Sequence, residues 1–199
     1  LPEGDKPRAK ADRVVEETMR LEKLTNDLLR FVKTGGIQRE PVDPVAIVRD
    51  AAASVKAEAG AVTVVSTDAP ATWSLDAARI REVVINLVDN AVAAGPPVEV
   101  RVGTRERRLV IEVEDRGPGV PEADREKIFE PFHTGKTQGT GLGLAIVERV
   151  VTNHGGKLRI RSESGAGTRV TLVLPAERVS AIPLPPGDGR RSNPGEAPA

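Results

Sequence analysis

The strands of this chain arrive in adjoining pairs. "VEVRV" (98–102) and "LVIEVED" (109–115) alternate apolar and polar residues around "GTRER", and "KLRIRS" (157–162) and "TRVTLVLP" (168–175) do so around "ESGAG". Alternation with period two marks a strand with one buried face. Two such runs joined by a short turn make an antiparallel hairpin. Strands grouped as hairpins, without strand–helix–strand repeats, predict an α+β fold. The expected form is a two-layer α/β sandwich: a mixed, largely antiparallel sheet with helices on one face.

The helices to cover that face are legible. "DPVAIVRDAAASVKAEAG" (43–60) reads as helix, with Asp43 as N-cap and Pro44 at the first position. "AVTVVSTD" then reads as a strand. "LDAARIREVVINLVDNAVAAG" (75–95) is a strong helix: Asp76 caps it, Leu75 staples onto Ile80, and Gly95 with two prolines ends it. "LGLAIVERVVTNHGG" is another. Residues 1–10 read as a loop. "ADRVVEETMRLEKLTNDLLRFVKTGG" is helical, with Val14, Leu21 and Leu28 seven apart and Leu24 and Phe31 between them. Such a seam fits a helix packed on its own domain equally with half of a dimerising helical hairpin. From about Val179 the chain is rich in Pro and Gly without pattern and reads as a disordered tail.

Composition excludes several classes. The 29 basic and 29 acidic residues cancel, and only 2% of residues are aromatic, so nothing points to nucleic acid. No cysteine is present, which removes disulfides and thiolate metal sites. No apolar run reaches the ~18 residues of a membrane helix. The chain opens on Leu1, which reads as a piece cut from something longer.

Four segments carry candidate chemistry. Glu82, Asn86 and Asn90 lie in one row at i, i+4, i+8. They are oxygen donors of the kind a hard cation uses, or a solvated face. "EDRGPGV" sets Asp115 beside Gly117 and Gly119, a carboxylate acceptor next to backbone that a flat ring can approach; ordinary turns use the same residues. "KIFEPFHTGK" holds Phe129 and Phe132, two of three phenylalanines, as anchors for a loop. "GTGLGLAIV" runs Gly139, Thr140, Gly141, Leu142, Gly143, Leu144 into a helix, an amide-rich anion site or a flexible lid. Gly135-Lys136-Thr137 ends like a Walker loop, but the opening glycine is replaced by Glu130, and "REKIFEPF" is too charged for the strand before it.

In this order the segments resemble the N box ("NLVDNA"), first glycine box ("DRGPG"), F box ("FEPF") and second glycine box ("GTGLGL") of the ATP-binding domain of sensor histidine kinases. That domain belongs to the ATPase group of gyrase, mismatch-repair and heat-shock chaperone proteins. The likeness runs from about Ile37 to Pro175. It implies ATP and Mg²⁺ as cofactors. Asn90 with Asn86 would hold the metal, and Asp115 would accept from the adenine amino group. Gly117 and Gly119 would close on the base. Gly139 to Gly143 would give amides to phosphates, with Leu142 and Leu144 packing the next helix. Phe129 and Phe132 would anchor the lid, and Thr168 in "SGAGT" would lie near the adenine edge. Lys136 resembles the lid lysine of the nitrogen-sensor-like branch and, with Asn86 and Asn90, would serve phosphoryl transfer.

The resemblance divides the chain into 1–36, the turn and second helix of a dimerisation and phosphotransfer hairpin; 37–178, the ATP-binding domain; and 179–199, the tail. It implies a homodimer, a response regulator as partner, and a cytoplasmic setting in a membrane-anchored sensor. The phosphoacceptor histidine would precede Leu1, since His133 is in the lid and His154 ends a helix. Many relatives carry Lys or Arg, then an aromatic, where this chain has Ala93 and Ala94, which implies modest ATP affinity. Alternatives are another ATPase of this fold, an anti-sigma kinase or a hydrolase with Glu82 as base, and a non-catalytic module.

Overall fold

The two hairpins join into one sheet because each leaves an edge the other can pair. The structure, a computed structural model, describes residues 5–32, 36–135 and 139–176. Its helices are α1 (Asp5–Val32), α2 (Pro44–Ser54), α3 (Ala77–Ala94) and α4 (Gly143–Asn153). Its strands are β1 (Glu40–Val42), β2 (Val62–Thr67), β3 (Trp73–Leu75), β4 (Val98–Arg105), β5 (Arg108–Asp115), β6 (Lys157–Glu163) and β7 (Gly167–Pro175). The main sheet has the order β2-β4-β5-β7-β6. Only β2 runs parallel to its neighbour; the other pairs are antiparallel. This is the expected mixed sheet.

One face of the sheet is apolar. Val98, Val100, Val102, Leu109, Ile111, Leu172 and Leu174 are buried there, and α3 and α4 supply Ile80, Val84, Leu87, Ile146, Val147 and Val151 to the same core. Each such side chain contributes about 1.5–3 kcal/mol on full burial. The other face carries charge, including Arg101 and Arg169, which both donate to Glu114.

Four expectations change. Residues 5–10 are helix, not loop; Pro7 lies in the first turn, where its missing N–H costs no hydrogen bond. The helix read over 43–60 stops at Ser54, whose hydroxyl bonds the Ala51 carbonyl, while Val55 turns extended. The "GTRER" turn tightens to Glu106-Arg107, both left-handed (φ 50° and 59°), because the strands pair up to Arg105–Arg108. That is the two-residue turn whose twist suits a hairpin. Finally, β1 and β3 form a small antiparallel pair, too short to show period two. The tail from Val179 lies outside the described residues.

Asp76 ties this layer together. Its carboxylate caps α3 at Arg79 N–H and accepts from Gln38 N–H, both at 3.1 Å. Its own N–H donates to Nε2 of the buried His154 at 3.2 Å, so the ring proton sits on Nδ1 and donates to the Val150 carbonyl at 2.8 Å. Asp76→Ala is expected to destabilise the fold by about 2 kcal/mol, a cap plus an orphaned amide. A thermal melt should drop by roughly 4–8 °C; an unchanged midpoint would show that the cap contributes nothing.

Candidate functional site

α3 presents its apolar stripe to the sheet, and this turns the amide row toward the segments that follow β5 and precede α4. Asn86 is half-buried; its Nδ2 donates back to the Glu82 carbonyl at 3.1 Å. Its Oδ1 faces Gly143: a Cβ added there would lie 3.1 Å from that oxygen. The second glycine run therefore abuts the amide row.

The other end of α3 meets the acidic turn. A Cβ on Gly117 would come within 2.8 Å of the Ala94 carbonyl oxygen, and Arg116 N–H donates to the Gly95 carbonyl at 3.2 Å. Asn90 is half-buried and stands midway, about 6 Å along the helix axis from each contact at 1.5 Å per residue. Asn90, Asp115 and the glycine run thus border one stretch of α3.

Asp115 ends β5 and is buried. Its Oδ1 accepts from Gly117 N–H at 2.9 Å and Thr168 N–H at 3.2 Å. Burial pushes its carboxyl pKa above the usual range, the two amides pull it down, and Glu114 adds repulsion; the balance is upward. Beyond it, Gly119 (φ 74°) lies so close to the Glu163 carbonyl that no side chain fits. Ser162 closes this corner: its hydroxyl accepts from Val120 N–H at 2.7 Å and meets the Thr168 hydroxyl at 2.9 Å. Sequence reading missed Ser162, although it is the one polar residue at an inward position of "KLRIRS".

The F segment and the second glycine run clasp each other. Phe132 N–H donates to the Gly141 carbonyl at 3.0 Å, and Gly141 (φ 69°) packs on the Phe132 backbone. One expectation is corrected here. Phe129 is half-buried, but Phe132 is 59% exposed. Phe132 anchors through its left-handed backbone (φ 68°), not by burying its ring. Leu142 is fully buried and Leu144 partly so against the core. Gly139 and Thr140 are half-buried; Lys136 lies outside the described residues.

Sequence reading also missed a link to the first helix. The Thr140 hydroxyl donates to the Asp27 carboxylate at 2.7 Å. Nearby, the Arg149 guanidinium stacks 4.7 Å from the Phe31 ring centroid. Leu24 and Phe31 pack on the core, while Val14 and Leu21 stay exposed. The seam is divided: one stripe serves its own domain and the other faces outward.

Among the described residues no group of three His, Cys, Asp or Glu could hold a metal ion. The donors on offer are amide oxygens. That suits Mg²⁺, which keeps waters and takes few protein ligands when it accompanies phosphates. No described helix is long and apolar enough to cross a membrane.

Residues 75–178 match the family model described as histidine kinase-, DNA gyrase B-, and HSP90-like ATPase. Sensor-like histidine kinase SenX3 of Mycolicibacterium smegmatis is 35% identical over 187 residues, covering 86% of this chain and 49% of SenX3. The chain thus spans about half the length of that relative. Full-length ShkA, crystallised in complex with AMPPNP, superposes with a TM-score of 0.72 at 29% identity over 85% of this chain and 38% of ShkA. The mycobacterial sensor histidine kinase MprB superposes at 0.62 with 31% identity, over 70% of this chain and 98% of that structure.

Proposed function

Because the chain belongs to the histidine kinase-, DNA gyrase B-, and HSP90-like ATPase family, we propose that it is the ATP-binding catalytic part of a two-component sensor histidine kinase. It would transfer the γ-phosphoryl of ATP to a histidine outside this chain, for relay to a response-regulator aspartate. One observation carries the reading: α3 borders both the Asp115 turn and the second glycine run, with Asn90 between them. A nucleotide laid along that line has its base at Asp115 and its phosphates at Gly139–Gly143.

Each residue then has a task. Asp115 accepts from the adenine amino group, and Gly117 and Gly119 leave room for the ring. Thr168, which bonds Asp115 through its N–H, sets the base edge. Amides of the glycine run hold the phosphates and orient the terminal one. Asn86 and Asn90 are the residues that would hold Mg²⁺; the ion would neutralise phosphate charge. Lys136 would add a further positive charge at the lid. Residues 1–36 are then the second half of a dimerising hairpin, 37–178 the nucleotide-binding domain and 179–199 a tail. Val14, Met19 and Leu21, each more than half exposed on α1, supply the apolar surface a homodimer would cover.

The test is to mix the chain with labelled ATP and a peptide hairpin carrying the upstream histidine helix. The expected result is slow transfer in trans. ATP bound without any transfer would favour a non-catalytic module. Steady hydrolysis lost in Glu82→Gln would favour a hydrolase; Glu82 is placed 3.8 Å from Arg79, an ion pair that competes with a role as base.

A further inference from the structure

The face of the sheet turned away from α3 and α4 carries more positive charge than the carboxylates described on it can answer. Between β5, β7 and β6 it forms a groove of ≈ 290 Å³. Five arginines line it: Arg105, Arg108, Arg159, Arg161 and Arg169. Against them stand Glu106 and Glu112. The chain as a whole is neutral, so this surplus is local. The nearby Glu114 is already shared by Arg101 and Arg169. Among the described residues Arg108, Arg159 and Arg161 have no carboxylate in ion-pair reach, while Arg105 is 4.0 Å from Glu112. The register also sets Arg161 directly opposite Arg169, a like-charge pair in which Glu114 answers Arg169 and no carboxylate among the described residues answers Arg161.

The same row lies on an edge. Among the described residues β6 pairs only with β7. The loop at Gly119–Val120 covers the Ser162–Glu163 end of β6; among the described residues Lys157 to Arg161 have no strand on their outer side. Along that stretch the faces alternate. Lys157, Arg159 and Arg161 are exposed, about 7 Å apart on the outer face; Leu158 and Ile160 are half-buried on the helix side.

We propose that β6 takes up an extended acidic segment of a partner protein as a sixth strand. The segment this edge fits has carboxylates at alternate positions, opposite Lys157, Arg159 and Arg161, and apolar residues between them, beside Leu158 and Ile160. Main-chain hydrogen bonds to the open edge supply the pairing, and side-chain charge selects the partner. A cationic row repels basic strands and makes pairing with a neutral one costly in unpaired charge, and so also guards the edge when the partner is absent.

The probe is a fluorescent eight-residue peptide of alternating Glu and Val, titrated by anisotropy into the full chain. The expected result is saturable binding that weakens at least tenfold between about 0.1 M and about 1 M salt, as screening shortens from ~10 to ~3 Å. Arg159→Glu/Arg161→Glu should lose this binding tenfold or more and gain affinity for the alternating Lys–Val peptide, with ATP binding unchanged. Amide exchange over 157–161 should slow when the Glu–Val peptide binds. Both substituted positions are exposed, so an unchanged thermal melt confirms the fold. Equal binding of a peptide with its glutamates in one block, no slowing at 157–161, or no exchange of partner preference in the charge-reversed chain would overturn the proposal. Displacement of the peptide by millimolar inorganic phosphate or by an RNA oligonucleotide would also overturn it, showing a site for phosphate charge rather than a strand.

Discussion

Asp115→Asn is expected to weaken Mg-ATP binding by between about 10- and 100-fold while leaving inorganic triphosphate within about twofold. The carboxylate makes a charge-assisted contact in a buried corner, and such bonds are worth about 1.5–3 kcal/mol. The substitution keeps an oxygen that can still accept from Gly117 and Thr168 N–H, so the turn should survive. It places an amide N–H₂ where adenine also presents a donor, and the two repel. Calorimetry with ATP and with triphosphate separates these terms. Matching losses for both ligands would mean that the base is not read at Asp115.

The acid side of the same titration carries a further expectation. Burial raises the Asp115 carboxyl pKa, so the folded chain holds that proton more tightly than the unfolded one. Stability drawn from this group is present at low pH and declines as pH rises through the raised value. Adenine recognition runs the other way, since it needs the ionised form. The base-specific part of ATP affinity should therefore fall, as pH is lowered, at a higher pH than an ordinary aspartate near 3.9 would give. Triphosphate binding should not share that midpoint.

Gly141→Ala is expected to reduce ATP affinity about 100-fold without a comparable loss of fold. Gly141 is left-handed at φ 69°, and a Cβ there would press on the Phe132 backbone, 2.7 Å from its Cα and 2.8 Å from His133 N. The backbone strain alone is about 1–2 kcal/mol, and the contact is with main chain that no rotamer change can relieve. The clasp between residues 132 and 141 must open, which moves the amides meant for phosphate. Gly135→Ala is the control: a Cβ there meets nothing within 4 Å, and affinity should change by less than about twofold. Equal affinities for the two variants would remove the clasp from the binding site.

Where burial follows a period, the sequence was readable. The β4–β5 and β6–β7 hairpins show the pattern of two, and α3 shows its cap, its staple partner and its glycine stop, so sheet and covering helices could be expected together. The segments β1 and β3 could not, because three residues hold too little alternation to outweigh Pro41. The order of asparagines, acidic turn and glycine runs indicated a nucleotide site. The contacts that join them were not legible, since the Gly117–Ala94 and Gly143–Asn86 approaches are between residues distant in sequence. Phe132 shows the difference best. Its residue type suggested a buried ring, but the lid is short and polar, and only its main chain reaches a partner.

The bond from Thr140 to Asp27 makes α1 and the glycine run parts of one equilibrium. By thermodynamic linkage, a ligand that favours either arrangement of Thr140 changes the docking of α1 by its own ratio of affinities, and displacement of α1 alters that ligand's affinity by the same factor. Information in such a device flows both ways, through that hydroxyl and the Phe31–Arg149 contact beside it. A signal arriving along the helix and a nucleotide arriving from solvent would each be felt by the other.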